Sequence, residues 1–566
     1  MKNIVVLGGG TGGAIVSNML RHRLSTKEWS VTVIDSSDRH LYQPGLLFIP
    51  FGLYDYKDMD SISRPIGEPI SANIDFVNAE VLAIDPEKKR VETSSGTFPY
   101  DWLVSSLGCR IAPEEVDGLK ESFGRDVHTF YTPEGAVKLR SALNAMREGR
   151  LVIDIADMPI KCPVAPIEFA FLADYFFNVQ GLRKRVSIDL VTPLSGAFTK
   201  PVASAALGEI ARRKNINIVP NFALESVDGE AKKIRSFDGI SVEYDLLVSI
   251  PPNLGPRVLD DSGLGDGTGF GLTDRKTLKS RMADYIYFVG DNANVPTSKA
   301  GSVAHFQAET AVDNILREIQ GKNAVPAYDG HANCFIESGF HKALLIDFNY
   351  DVEPLQGVFP MPHMGPFNLL EESIVNHLGK LAFKWVYWHM LLGGHLSKVP
   401  LLPSHMSFFG KELDKLPEIS RSRATKIGEV MTADVITVPL GTSLPEAARL
   451  ITDHHITGLP VVDPDGRLAG IITEADFVSV LDADEASVAE EIFHMFTKRP
   501  YADKRAGCVV EDVMTREPVT LRENDTIHQA VEAMSRHHIG RIVVTDEADR
   551  VMGILAGADL IRLFCH

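Results

Sequence analysis

Short apolar runs bounded by glycine, proline and polar residues alternate with longer amphipathic stretches. This is the pattern of strand–helix–strand units with buried parallel strands. Ile4-Val-Val-Leu7 predicts a first strand, Ala14 to His22 a helix, and Val31-Thr-Val-Ile-Asp35 a second strand. Leu151-Val-Ile-Asp-Ile155, a helix over Ile167–Phe177 and a strand from Val186 to Thr192 predict a second unit of the same kind. Asp284 to Asp291 predicts a further strand ending in Gly290-Asp291, with a helix beginning near Ser302. Residues 373–392 predict an aromatic-rich helix on which His377, Lys380 and Lys384 share one face at i, i+3 and i+7 spacing. No window offers about 18 uninterrupted apolar residues, so no membrane-spanning helix is expected. Beyond a charged linker the pattern repeats with a constant offset of 83 residues. Val430-Met-Thr432 matches Val513-Met-Thr515, His454–Asp463 matches His537–Asp546, and Gly470–Asp476 matches Gly553–Asp559. Such fidelity means paired copies of one supersecondary unit.

Composition narrows the function classes. A net charge of −18 over 566 residues argues against broad nucleic-acid binding. Five cysteines are too few for a disulfide scaffold, so any disulfide here is expected to be redox-active. No basic segment followed by a long apolar stretch precedes the first strand, so no secretory signal is expected. No metal site is expected either, because the His454-His455 and His537-His538 pairs sit on predicted helix ends inside the repeat and read as structural.

Between the first strand and helix lies Gly8-Gly-Gly10-Thr-Gly-Gly13, a G-x-G-x-x-G in its strand–turn–helix setting. Gly8 permits the tight turn, Gly10 lets backbone approach a pyrophosphate, and Gly13 allows close helix–strand packing. The N-terminus of the following helix would offer free N–H groups to the phosphates, with Thr11 in the loop among the binding residues, and Asp35 would accept from ribose hydroxyls. The second unit lacks this chemistry. Its turn, Ala156-Asp-Met-Pro-Ile-Lys-Cys-Pro-Val-Ala-Pro-Ile-Glu168, has no glycine, and its next strand ends in Thr-Pro rather than an acid. A thiol, Cys162, stands where a second nucleotide loop would be, which argues against a nicotinamide donor.

These motifs, taken in order, resemble the sulfide:quinone oxidoreductases and the related flavocytochrome c sulfide dehydrogenases, over roughly residues 1 to 411. The matching segments are Lys161-Cys162-Pro-Val-Ala-Pro166, Tyr328-Asp-Gly-His-Ala-Asn-Cys334, Tyr100 to Gly108 closing the first flavin segment, Gly290-Asp291, and Ser298-Lys299-Ala-Gly301. The resemblance implies FAD, held by Gly8, Gly10, Thr11, Gly13, Asp35, Gly108, Gly290, Asp291, Lys299 and Gly301. It implies a redox pair, Cys162 and Cys334, that takes electrons from hydrosulfide and passes them through the flavin to a quinone. Thiolate is the reactive species, and Lys161 and the following helix are expected to lower the thiol pKa. Many quinone-reducing members carry a third cysteine where this chain has His128-Thr-Phe-Tyr131; Cys109 lies earlier and is given no role. The basic, aromatic helix at 373–392 is expected to lie in a bilayer interface, with Phe359–His363 and Leu401–Lys411 lining a quinone entry.

The repeat resembles a tandem pair of CBS modules. That resemblance implies either adenine nucleotide between the modules, contacted by Thr473, Asp476 and Asp559, with Ala556 replacing the hydroxyl residue in the second copy, or a pair that serves only as a dimerisation platform. The expected class is thus α/β: two Rossmann-like dinucleotide-binding domains of the flavin disulfide reductase type, a membrane-associating helical segment and an α/β CBS pair. The expected segments are flavin-binding 1–150 and 276–330, a second Rossmann-like domain 151–275, a quinone and membrane region 331–411, a linker 412–424, and modules 425–485 and 486–566. A homo-oligomeric enzyme peripheral to the cytoplasmic face of the cell membrane is expected. The rival readings are a type II NADH:quinone oxidoreductase and a flavin and nucleotide sensor with little turnover.

Overall fold

A computed structural model describes the chain except residues 55, 57, 362–364, 395–405, 407–410, 412–425, 455, 457, 474–475, 478–508, 538, 557–558 and 560–566. The chain divides into two compact units. The first takes residues 1–354, 367–399 and 403–406, and the second the repeat with residues 355–366 and 400–402. The linker at 412–424, most of the proposed quinone entry at Leu401–Lys411, and Cys508 and Cys565 lie outside the described residues.

In the first unit the apolar runs form two five-stranded parallel sheets. Strand β1 (Lys2–Leu7) leads into helix α1 (Thr11–Arg23), then β2 (Trp29–Asp35), β3 (Asp75–Asn78) and β4 (Trp102–Ser105). The second sheet collects β5 (Val127–His128), β6 (Gly149–Ile155), β7 (Val186–Val191), β8 (Ile216–Val219) and β9 (Leu246–Ile250). Helix α2 (Ala165–Val179) crosses from β6 to β7. The chain then returns to the first sheet with β10 (Ile286–Phe288), giving the order β10-β4-β1-β2-β3 there and β5-β9-β6-β7-β8 in the second. Every pairing in both sheets is parallel. Strands buried on both faces explain why the sequence shows continuous apolar runs rather than alternation. Ligands of such sheets meet the carboxyl ends of the strands. The glycine loop, Gly290-Asp291 and Cys162 all lie just beyond strand C-termini.

Helix α3 (Gly301–Ile319) follows β10 and packs on α1. A hairpin of β11 (Ala332–Gly339) and β12 (Lys342–Phe348) places Cys334 opposite Ile346. Helix α4 (Ile374–Val386) starts at Ser373, whose hydroxyl accepts from the Asn376 N–H, and packs on that hairpin. It continues as a π-helical turn over Tyr387–Leu391. Among the described residues no helix is long and apolar enough to cross a membrane.

The second unit contains helix α5 (Leu444–Asp453), β13 (Gly458–Val462), β14 (Leu468–Thr473), helix α6 (Ile527–His537), β15 (Arg541–Thr545) and β16 (Val551–Ala556). The repeats exchange their matching segments. Thr515 pairs antiparallel with Ile471 of the first copy, and Thr432 pairs antiparallel with Ile554 of the second. The exchange is tight. A Cβ on Gly470 would lie 2.5 Å from the Met514 sulfur, and one on Gly553 would lie 2.3 Å from the Met431 sulfur. Repetition of Val-Met-Thr and of these glycines is therefore a packing requirement imposed by each copy on the other.

Candidate functional site

The glycine loop is built by steric necessity at two positions and left open at a third. Gly8 has φ +92°, and a Cβ there would meet the Ser106 carbonyl oxygen at 2.3 Å. A Cβ on Gly13 would lie 1.8 Å from the Gly8 oxygen, because α1 runs directly against the loop. A Cβ on Gly10 would meet no atom within 4 Å. Gly10 is the N-cap of α1, with no side chain capping the helix, so the first N–H groups face open space. These facts separate two substitutions. Gly13→Ala should cost several kcal/mol of stability through overpacking. Gly10→Ala should leave the melting temperature of the cofactor-free protein unchanged while weakening cofactor retention; thermal melts and flavin content after gel filtration check both.

Asp35 braces this loop. Its carboxylate accepts from the Gly9 N–H at 2.6 Å and from the Ser37 N–H at 2.8 Å. The Thr11 hydroxyl is engaged with the Tyr387 hydroxyl at 2.8 Å, and Tyr387 also meets His40 Nε2 at 2.7 Å. Thr11 therefore offers its backbone to a phosphate while its side chain ties the loop to the turn after α4. The N-terminus of α3 also lacks a side-chain cap, and a Cβ on Gly301 would stand 4.0 Å from the Thr11 methyl. Two uncapped helix N-termini thus converge, a setting suited to diphosphate and an electron-rich ring. Gly108 and Gly290 both have positive φ, +71° and +81°, and Gly290 lies two residues beyond β10. Among the described residues the Asp291 carboxylate has no side-chain hydrogen bond of its own. Burial raises its pKa, opposed by Lys299 and Lys161. Lys299 donates to the carbonyls of Asp291 at 2.6 Å and Ala293 at 3.3 Å, pinning the segment between β10 and α3. An open cradle, two free helix ends and an unspent carboxylate fit FAD. Gly8, Gly10, Gly13 and the α1 terminus would hold its diphosphate, and Asp291 its sugar-alcohol chain.

The turn after β6 brings a thiol to this place. Cys162 N–H donates to the Lys299 carbonyl at 2.6 Å, and Ala165 N–H donates to the Cys162 carbonyl at 2.8 Å. The Tyr131 hydroxyl donates to the Lys161 carbonyl at 2.7 Å. Together these hold Cys162 at φ +47°, a left-handed conformation that costs a non-glycine residue about 1–3 kcal/mol. Cys334 approaches from the hairpin. The Ser302 hydroxyl, in the first turn of α3, donates to the Asn333 carbonyl at 2.7 Å. Both cysteines are free thiols here and act on one another electrostatically.

The expectation of lowered thiol pKa values is overturned. Burial pushes Cys162 up to about 12, reinforced by Glu168 and opposed by Lys380. Cys334 is raised as well, again chiefly by burial. The cation near Cys162 is Lys380, from α4, rather than Lys161, which acts on Asp291 and Cys109. Cys109 also stands at the edge of this site, its sulfur 3.8 Å from the Asn253 side-chain oxygen. Strand order, not sequence spacing, brings it there.

Two of the three basic residues of α4 turn into the protein rather than outward. His377 and Lys380 point inward: His377 Nδ1 lies 2.6 Å from Glu337, and the Lys380 ammonium pairs with Glu168 and donates to the Phe335 carbonyl at 2.9 Å. Lys384 lies over the Tyr56 ring at 4.4 Å. Two buried carboxylates, Glu168 and Glu337, supply the reason, since buried charge must be paired. The opposite face presents Ile374, Val375, Leu378 and Trp385, each at least 42% exposed. Sequence reasoning noticed the spacing but missed the partners, which lie on α2 and β11.

In the repeat, Thr473 donates to the Asp476 carboxylate through its N–H at 2.7 Å and its hydroxyl at 2.9 Å. Ala556 N–H makes the matching bond to Asp559 at 2.9 Å, and the Thr432 hydroxyl reaches Asp559 at 3.5 Å. The two acids thus occupy equivalent places, with a hydroxyl from the exchanged segment beside the second.

Two parallel sheets, an FAD cradle and a thiol docked on the cofactor segment define a flavin-dependent oxidoreductase of the flavin disulfide reductase fold. Residues 427–483 and 510–566 match the model of the CBS domain. Over 405 residues, 70% of this chain and 86% of the relative, the chain is 29% identical to the mitochondrial sulfide:quinone oxidoreductase of Dictyostelium discoideum. Over 402 residues, 69% of this chain and 86% of the relative, it is 26% identical to the mitochondrial sulfide:quinone oxidoreductase of Mus musculus. The sulfide:quinone oxidoreductase structure from Aquifex aeolicus shares the fold with a TM-score of 0.58 at 20% identity, covering 70% of this chain and 93% of that one. The N-terminal seven-tenths are therefore similar to the sulfide:quinone oxidoreductases, with a tandem CBS pair following.

Proposed function

We propose that this protein oxidises hydrosulfide at Cys162 and Cys334 and passes the electrons through FAD to a quinone at a membrane surface. The observation that carries the reading is the docking of Cys162 N–H on the Lys299 carbonyl, with Cys334 tethered through Asn333 to the start of α3. Hydrosulfide opens a Cys162–Cys334 disulfide, leaving a persulfide on one cysteine and a thiolate on the other. A second hydrosulfide takes the outer sulfur as HSS⁻ and leaves a thiol. Re-forming the disulfide from that thiol and the thiolate gives up two electrons and one proton. FAD, when bound, supplies the two-electron sink between this pair and the quinone. The net change is two HS⁻ to HSS⁻, one H⁺ and two electrons.

The exposed apolar face of α4 supports membrane docking in a different form from that expected: Ile374, Leu378 and Trp385 enter the bilayer interface while the cations stay inside. The proposed surface is the cytoplasmic one, where adenine nucleotide reaches Thr473, Asp476 and Asp559 and adjusts turnover.

The test is anaerobic mixing of the FAD-loaded protein with hydrosulfide or NADH, followed by a soluble quinone analogue. Hydrosulfide is expected to bleach the flavin and quinone to restore its colour. Bleaching by NADH alone would overturn the proposal.

A further inference from the structure

A line of titratable groups leads from the thiols to solvent. Lys380 joins Glu168 to the carbonyl of Phe335, the residue after Cys334. Glu168 also accepts the Glu337 N–H at 2.7 Å, so α2 and β11 are fastened at this carboxylate. The Glu337 side chain meets His377 Nδ1 at 2.6 Å, and both residues are buried. The His377 ring lies 5.5 Å from that of His341, which is exposed at the hairpin turn. Tyr54 packs on both rings, at 4.9 and 6.1 Å, and the Tyr175 hydroxyl lies 3.4 Å from His341 Nε2. No structural demand of a hairpin or an amphipathic helix asks for two buried carboxylates, a lysine and a histidine in series.

We infer that Glu168, Lys380, Glu337, His377 and His341 form a proton outlet, carrying to solvent the proton released when the Cys162–Cys334 disulfide closes. The inference rests on the reaction proposed above, which yields one proton per cycle at two half-buried thiols. The proton leaves the thiol for the Glu168–Lys380 pair, moves along the Glu337–His377 contact, and is shed at His341. Electrons go the other way, to the cofactor, so charge does not accumulate among the buried carboxylates. An outlet ending in an imidazole gives the thiol proton a general base to pass to.

His377→Ala tests this with two readouts. In the cofactor-free protein, iodoacetamide labelling of Cys162 and Cys334, followed by mass spectrometry at neutral pH, should slow by roughly tenfold or more, and added imidazole should restore it. In the FAD-loaded protein, single-turnover flavin reduction by hydrosulfide should slow in parallel and recover with imidazole. Glu337→Gln, which keeps side-chain volume, should give the same slowing without rescue, and it serves if His377→Ala fails to fold. Labelling at the wild-type rate in both variants, or slowing in His377→Ala that imidazole does not relieve, overturns the outlet. Slowed and rescued labelling in a protein whose wild-type flavin ignores hydrosulfide would leave the outlet standing and remove the proposed function instead.

Discussion

Cys162→Ser protein is expected to bind FAD normally and to leave it oxidised in excess hydrosulfide. A serine oxygen cannot form the sulfur–sulfur bonds the cycle needs, and the residue's strained backbone is held by main-chain contacts that survive the change. The loss of flavin reduction should reach roughly three orders of magnitude or more. Cys334→Ser should lose as much, and the double variant little more, since two members of one bond act as a unit. Anaerobic stopped-flow absorbance gives the rates, and flavin content confirms loading. Wild-type rates in either single variant would rule out the disulfide cycle.

Lys380→Met should be the most damaging single change to stability in this region. Lys380 compensates Glu168, whose side chain is 2% exposed, and acts on Glu337, which is fully buried. Removing it leaves the Glu168 carboxylate without its cation, at a cost of about 3–5 kcal/mol. The pH dependence has a definite sign. Burial already raises the Glu168 pKa despite Lys380, so the folded form holds its proton more tightly than the unfolded form. Such a group favours folding at acid pH and loses that contribution as pH rises. Without the lysine the effect grows, so urea denaturation should show a larger defect at pH 8 than at pH 5. Pairing it with Glu168→Gln should recover part of the loss, and an unchanged midpoint for Lys380→Met would contradict the pairing.

What the sequence made legible follows from range. The glycine loop, its strand, helix and acid are contiguous, and local sterics alone demand Gly8 and Gly13. Cys162 stood out for the same reason, as a thiol in a turn with no glycine. The orientation of α4 was not legible. Hydrophobic periodicity puts charges outward by default, and only the buried Glu168 and Glu337, some 212 and 43 residues from Lys380, reverse it. Cys109 was passed over because its nearness to Asn253 depends on neighbouring segments brought together by the sheets. In the repeat, sequence showed that two copies exist. That Met431 and Met514 each pack against the other copy's glycine became visible only in three dimensions.

That reciprocal placement has a consequence for how the C-terminal pair evolves and melts. Neither copy owns a complete sheet, so a chain cut between them would yield two fragments, each with a vacant edge and an orphaned methionine. The halves are bound to unfold in one transition, and a ligand held in either half raises the melting point of both. A mutation in one copy is also felt at the matching position of its twin, so the two cannot diverge independently.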